Sequence, residues 1–209
     1  MNKISNPIVE VLKIYVLIFG LIWLIFFLNN VVTHDKLTMA IVPRTISWSQ
    51  FFSLFMSCFY HVNFNHVLNN SITLCLILWT IVVLEKRPYL TIILLIFISG
   101  FFTWLFGASG TAHVGASGLI YAIFGFTFTR AIDTRKFIYF SVSLVLLYYF
   151  YSSLILGLVP KQEISFSAHF GGLITGVVVA LMFRENKKLK LLNSRTKTSF
   201  FTKSNNLKK

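Results

Sequence analysis

The sequence is short of charge, and shortest of acid. Charged residues make up 12% of its 209 residues, against roughly 25% in an ordinary soluble domain. Only six are acidic: Glu10, Asp35, Glu85, Asp133, Glu163 and Glu185. All lie in loops or at the ends of apolar runs. A membrane aspartyl protease needs two carboxylates sharing a proton inside the bilayer, so that chemistry is excluded. A proton-coupled transporter usually carries a buried acid, and the same absence argues against one. Cysteine is scarce too: Cys58 sits in a loop-like stretch and Cys75 in an apolar run. Two such residues suggest neither a disulfide framework nor a cysteine zinc site.

What is present is hydrophobic. Apolar residues account for 56% and the mean hydropathy is +0.76. This excludes a soluble globular domain, a disordered chain and a nucleic-acid-binding module, despite a net charge of +13. Six apolar runs have spanning character: Val11–Leu28, Val67–Leu84, Tyr89–Phe106, Ala116–Thr129, Phe137–Val159 and Phe166–Phe183. A helix needs about 20 apolar residues to cross a hydrocarbon core of about 30 Å. Five runs fit. The fourth is short, so its helix is expected to start inside the bilayer. The first run lacks a small-x-small cleavage site and is followed by Asn29-Asn30, so it reads as an uncleaved first helix. No Arg- and Ser-rich transit segment precedes it, which favours a bacterial cytoplasmic membrane over an organelle. The segment Trp48–Tyr60 is apolar but broken by Ser49, Gln50, Ser53 and Ser57. It is too short to span and is expected to lie in the interface or dip beside the helices.

The predicted fold is therefore all-α: a polytopic six-helix membrane domain over residues 1–185 and a basic tail over 186–209 that can lie on anionic lipid. With the N-terminus cytoplasmic, sixteen Lys and Arg fall inside and three (Lys36, Arg44 and Lys161) fall outside. That asymmetry places both termini inside. Helices two, four and six then start on the outer side.

Three polar clusters enter those even-numbered helices, and polar groups inside a membrane default to functional hypotheses. The first is His61-x4-His66-x3-Asn70. His66 and Asn70, four apart, share a helical face, whereas His61 faces elsewhere. That spacing is poor for two metal ligands, and no metal site is expected. The second is His113-Val114-Gly115-Ala116-Ser117-Gly118-x-x-Tyr121-Ala122, with Gly125 beyond it. It opens a helix, where free backbone N–H groups can receive an anion. Tyr121 shares the face of Ser117, and Gly118, Ala122 and Gly125 form a small-residue stripe. The third is Ala168-His169-x-x-Gly172-x-x-x-Gly176. Its glycines let a neighbouring backbone come close to the imidazole. Each cluster alone also has a plainer reading, as interfacial polarity, interhelical hydrogen bonding or a packing stripe.

Depth joins the three. Ser117 stands 13 residues before Arg130, His169 15 before Arg184 and Asn70 15 before Glu85. At about 1.5 Å per residue these are heights of about 20–22 Å. All three sit about 10 Å below the outer surface of a ~30 Å core. Gly107-Ala108-Ser109-Gly110 repeats the tetrapeptide of the second cluster. It ends a helix instead of opening one, at a height of about 33 Å, and no tyrosine follows at plus four. Ser117 is the expected nucleophile.

Together the motifs resemble the rhomboid intramembrane serine proteases, in the family's order and over about residues 10–185. The resemblance implies a Ser117–His169 dyad cleaving single-pass transmembrane substrates within the lipid bilayer through an acyl-enzyme, with no cofactor. The active site would open to the outer side. The cut would fall near the substrate's outer membrane boundary, after a small residue. Asn70 and His66, with backbone N–H groups near Ser117, would form the oxyanion hole. Tyr121 would stack against His169, and His61 would order the first loop. Gly115, Gly118, Gly172 and Gly176 belong to the matching motifs. The first loop departs from the family: the common Trp-Arg pair is replaced by Phe52-Ser53, with Trp48-Ser49 further upstream. Ser57 stands where many members have a third histidine. These changes bear on the loop's packing and water access. The alternative function is a silent rhomboid-like protein that binds transmembrane clients without cutting them.

Overall fold

The computed structural model describes residues 6–32, 39–156 and 165–184. The basic tail over 186–209 and the end of the fifth run, 157–159, lie outside the described residues. Within them the chain is helical: α1 (Pro7–Phe27), running into a π-helical turn at Leu28–Val32, then α2 (Trp48–Met56), α3 (Phe64–Leu84), α4 (Pro88–Phe106), α5 (Ser117–Thr134), α6 (Phe137–Leu156) and α7 (Phe166–Met182). The only extended pairing among the described residues is an isolated antiparallel bridge between Ile41 and His113. Among the described residues, three helical stretches are long and apolar enough to cross a membrane: Ile8–Val32, Phe64–Leu84 and Pro88–Phe106. Phe137–Tyr148, the first part of α6, and α7 (Phe166–Met182) are shorter apolar stretches.

Local chemistry sets where the helices start. Asn6, Ser47, Asn63 and Ser165 each accept a backbone N–H from the first turn of α1, α2, α3 and α7, relieving one of the four orphan donors there. Proline opens α1 and α4, where its missing N–H costs no hydrogen bond. No side chain caps α5, so its first-turn N–H groups are left for other partners.

Two elements differ from the apolar runs. The segment that begins at Trp48 forms a true helix, α2. Its Ser47 cap fixes the start, and Leu54 packs against Gly100 of α4, where a methyl group would strike the Leu54 carbonyl. Trp48, Phe51 and Phe52 stay exposed on its outer face. Helix α5 outruns the fourth apolar run, continuing from Thr129 to Thr134. Its added turn carries Arg130 and Asp133, which have ionic partners.

Those partners fix the level of three helices. Arg130 pairs with Glu85 at the end of α3 (3.1 Å) and with Asp133 (3.7 Å), and Asp133 pairs with Arg184 beyond α7 (2.7 Å). The Tyr139 hydroxyl of α6 donates to Glu85 at 2.6 Å. Helices α3, α5 and α7 run parallel. Glu85 lies beside Arg130, Thr80 beside Thr127 and Asn70 beside Gly115. Likewise Gly172 lies beside Gly118, and Gly176 beside Ala122. The core between them is fully buried, including Leu74, Leu78, Ile123, Phe126 and Val179.

The first loop is anchored by Arg44, not by a Trp-Arg pair. Arg44 has a left-handed backbone, φ 58°. Its N–H donates to the Trp104 carbonyl (3.1 Å) and its guanidinium to the Gly107 carbonyl (2.8 Å). The guanidinium also bonds the Ser109 hydroxyl. A cation on the last carbonyls of α4 satisfies orphan acceptors and opposes the helix dipole. Trp104 returns the link through its indole N–H to the Thr45 carbonyl (2.9 Å).

Candidate active site

Ser117 is the first residue of α5, and His169 lies in the first turn of α7. Both are half-buried. Tyr121, one turn beyond Ser117, stacks on His169 with ring centroids 4.3 Å apart and planes 14° from parallel. The glycines of α7 make that approach possible. A Cβ on Gly172 would strike the Gly118 carbonyl and lie 3.1 Å from Tyr121 Cβ; one on Gly176 would strike the Ala122 carbonyl. Gly118 is different, because a methyl there would meet only ordinary contacts at 3.6 Å, to the Ala168 carbonyl and Ser99 Oγ.

The strand-like approach to α5 is pinned from the first loop. Gly115 N–H donates to the Ser57 carbonyl at 2.9 Å. Ala116 N–H donates to His61 Nε2 at 3.3 Å, and His61 Nδ1 donates to the Phe59 carbonyl at 3.3 Å. A carbonyl can only accept, so the proton sits on Nδ1 and Nε2 is free to accept. His61 is fully buried. Burial first, and the neighbouring His66 second, push its pKa down to about 4, against a smaller opposing pull from the Phe59 carbonyl. It is therefore neutral, as the bond from Ala116 requires.

Gly115 adopts φ +105°, a region that side chains rarely enter. A Cβ there would lie 2.6 Å from His66 Nε2 and 3.3 Å from Asn70 Nδ2. The His66 ring and the Asn70 amide thus converge on the backbone two residues before Ser117. Asn70 is 92% buried by its 8% exposure, and its Nδ2 is one of two buried side-chain polar atoms without a hydrogen-bond partner among the described residues. The other is Ser71 Oγ. A buried donor left unpaired costs about 1–3 kcal/mol.

Beside Gly115 and Gly118 lies a cavity of about 20 Å³ between α2, α4, α5 and α7. By the measure in which one water needs about 10–15 Å³, it has room for about one. Ser57, Ser99, Thr103 and His113 give it polar walls. Ser109 stands apart from all of this, on Arg44 at the end of α4.

The sequence model of the rhomboid domain matches residues 48–186. The chain belongs to the rhomboid family. Like the family, it is an integral membrane protein; α1 lies outside the matched stretch. Uncharacterized proteins of Mycobacterium bovis and of two Mycobacterium tuberculosis strains are 31% identical to this rhomboid over 151 residues. That alignment covers 65% of this chain, and the chain spans 62% of the relatives' length.

Three groups in this rhomboid's site have no role in the motif reading. Ser57, a polar break in the first loop where many members have a histidine, supplies the carbonyl that holds Gly115. Arg44, counted only as an outer charge, secures the loop. His113 stands inside the second motif, yet its partners are Thr111 and Ser165. The His66–Asn70 spacing signals a shared face. Nothing in the spacing of His113 signals a contact 52 residues away.

Proposed function

We propose that this rhomboid is an intramembrane serine endopeptidase with a Ser117–His169 dyad. The observation that carries the reading is the stack of His169 on Tyr121, one helical turn from Ser117. It holds the imidazole at the level of the α5 N-terminus. Ser117 Oγ attacks the substrate carbonyl while His169 takes its proton, and His169 then protonates the leaving amine. Water hydrolyses the resulting acyl-enzyme. The unpartnered Asn70 Nδ2, His66 and the uncapped first-turn N–H groups of α5 receive the oxyanion. On this reading the cost of burying Asn70 Nδ2 unpaired is recovered when negative charge develops beside it, which is how preorganised donors favour a transition state over a ground state. His61 holds Ala116 and so sets the turn from which Ser117 projects.

Substrates are single-pass membrane proteins, cut near the outer boundary of the bilayer after a small residue. The chain crosses a bacterial cytoplasmic membrane six times with both termini inside. The test is cleavage of a single-pass substrate in liposomes by wild type, Ser117→Ala, His169→Ala and Ser109→Ala, alongside labelling with a serine-directed phosphonate. Wild type and Ser109→Ala should cut and label; the other two should not cut. A folded wild type that neither cuts nor labels would overturn the reading in favour of client binding without cleavage.

A further inference from the structure

His113 lies outside the dyad and its oxyanion donors, yet every hydrogen-bonding group it owns is engaged. Its backbone N–H and carbonyl both pair with Ile41 at 2.9 Å. Its ring spans Thr111 Oγ1 (2.7 Å from Nε2) and Ser165 Oγ (2.6 Å from Nδ1). The direction of this chain can be deduced. Thr111 gives its only hydroxyl proton to the Ala108 carbonyl at 2.6 Å, which can only accept. Thr111 Oγ1 must therefore accept from His113 Nε2–H. In the neutral ring Nδ1 is then an acceptor, so the Ser165 hydroxyl donates to it. Burial lowers the pKa of His113, in keeping with the neutral form.

Ser165 is the N-cap of α7. Its Oγ accepts from Ala168 N–H at 3.3 Å, and its carbonyl accepts from His169 N–H at 3.1 Å. With its proton committed to His113, the Ser165 oxygen presents its lone pairs to the helix. We infer that His113 is a positioning residue for the base, tying the loop before Ser117 to the cap of α7 and so holding His169 in register with the nucleophile. The inference rests on the dyad reading above. The chain of atoms is short: His113 is four residues from Ser117, and Ser165 four from His169.

Isosteres separate this role from plain stability. The amide of an asparagine sits near the Nδ1 position of histidine and can still accept from Ser165; that of a glutamine sits near Nε2 and reaches Thr111 instead. His113→Gln and Ser165→Ala should each lower kcat roughly tenfold to a hundredfold, the scale of a sub-ångström to 1 Å misplacement, with KM within about twofold. His113→Asn and Ser165→Thr should stay within about threefold of wild type. The double variant His113→Gln/Ser165→Ala should be no slower than the slower single, because both break one link. Equal losses in His113→Asn and His113→Gln, or a double loss equal to the product of the singles, would overturn the inference. If the His113 variants do not fold, Ser165→Ala against Ser165→Thr decides the matter by the same kcat criterion. A wild type that neither cuts nor takes the phosphonate removes both readings. An active wild type with unimpaired His113→Gln and Ser165→Ala variants removes only this one.

Discussion

Replacing Gly172 by alanine should separate the helix that carries His169 from the helix that carries Ser117, the two members of the proposed dyad. In the structure α7 touches α5 backbone to backbone. A methyl on residue 172 would overlap the Gly118 carbonyl and stand 3.1 Å from both the Gly118 carbonyl carbon and Tyr121 Cβ. Carbon atoms prefer about 3.5–4.0 Å. Neither neighbour is the end of a flexible side chain, so relief requires α7 to retreat by on the order of 1 Å. His169 lies three residues before Gly172, on the same face of the helix. It would retreat with it, and the 4.3 Å stack on Tyr121 would open.

Two magnitudes follow. Overpacking a close-packed contact costs about 1–3 kcal/mol, which should lower the unfolding midpoint without abolishing the fold. A displacement near 1 Å between nucleophile and base costs roughly 10²-fold in turnover. The assay is kcat on a single-pass substrate in liposomes, with thermal unfolding measured on the same preparations. Gly20→Ala is the control, since nothing lies within 4 Å of a methyl at that exposed position of α1. Gly172→Ala should lose about 10²-fold in kcat while Gly20→Ala keeps the wild-type value. A folded Gly172→Ala protein that turns over at the wild-type rate would refute the reasoning, because the contact would then not set the position of His169.

Two other outcomes are expected. Asn70→Ala should cost about 10²–10³-fold in kcat with an unchanged or raised unfolding midpoint, because Asn70 Nδ2 has no partner to lose in the resting protein; a fall in stability that tracks the fall in activity would contradict this. His61 titrates at about 4 in the folded protein against an ordinary 6.5, so the unfolded chain binds more protons between those values and stability must fall as pH drops through the window. The full shift corresponds to about 3 kcal/mol, present above pH ~6.5 and lost by pH ~4. Unfolding midpoints from pH 7 to 4 should therefore fall less steeply in His61→Leu than in wild type, with the smaller contribution of His113 remaining in both; identical slopes would show that His61 does not carry the effect.

The parts of the molecule legible in the sequence are those where a membrane makes polarity expensive. Asn70, Ser117 and His169 stood out because apolar runs surround them, and their common height followed from residue counts to Glu85, Arg130 and Arg184. In the structure those three charges join in one chain of ion pairs through Asp133. The same charges hid the end of α5. Hydropathy stops at Thr129, but a charged residue whose partner is already in place can continue a helix, and Arg130 has Glu85 at 3.1 Å. The helix α2 was hidden by its length, since nine residues carry little periodicity. Arg44 and His113 were illegible for another reason: their partners lie 63 and 52 residues away. No local pattern encodes contacts of that separation.

The two ends of the bundle are held by different chemistry, and the difference bears on how such a site can work. At one end, Glu85, Arg130, Asp133 and Arg184 bind α3, α5 and α7 through charge, with Tyr139 of α6 joining them. At the other, the Arg44 guanidinium holds the end of α4, but the links around Ser117 and His169 are neutral: His61 to Ala116, Ser57 to Gly115, His113 to Ser165. A permanent charge beside Ser117 would bias the proposed proton transfer to His169 before substrate arrived. Neutral donors and acceptors fix direction without imposing a field of that size. Sites built on helices hold their geometry better than sites on loops. In the proposed dyad Ser117 and His169 come from separate helices, so their spacing is an interface property. The ionic end gives α5 and α7 a common level. The glycine contact gives them their separation, and the histidine links at the opposite end fix the turns from which Ser117 and His169 project.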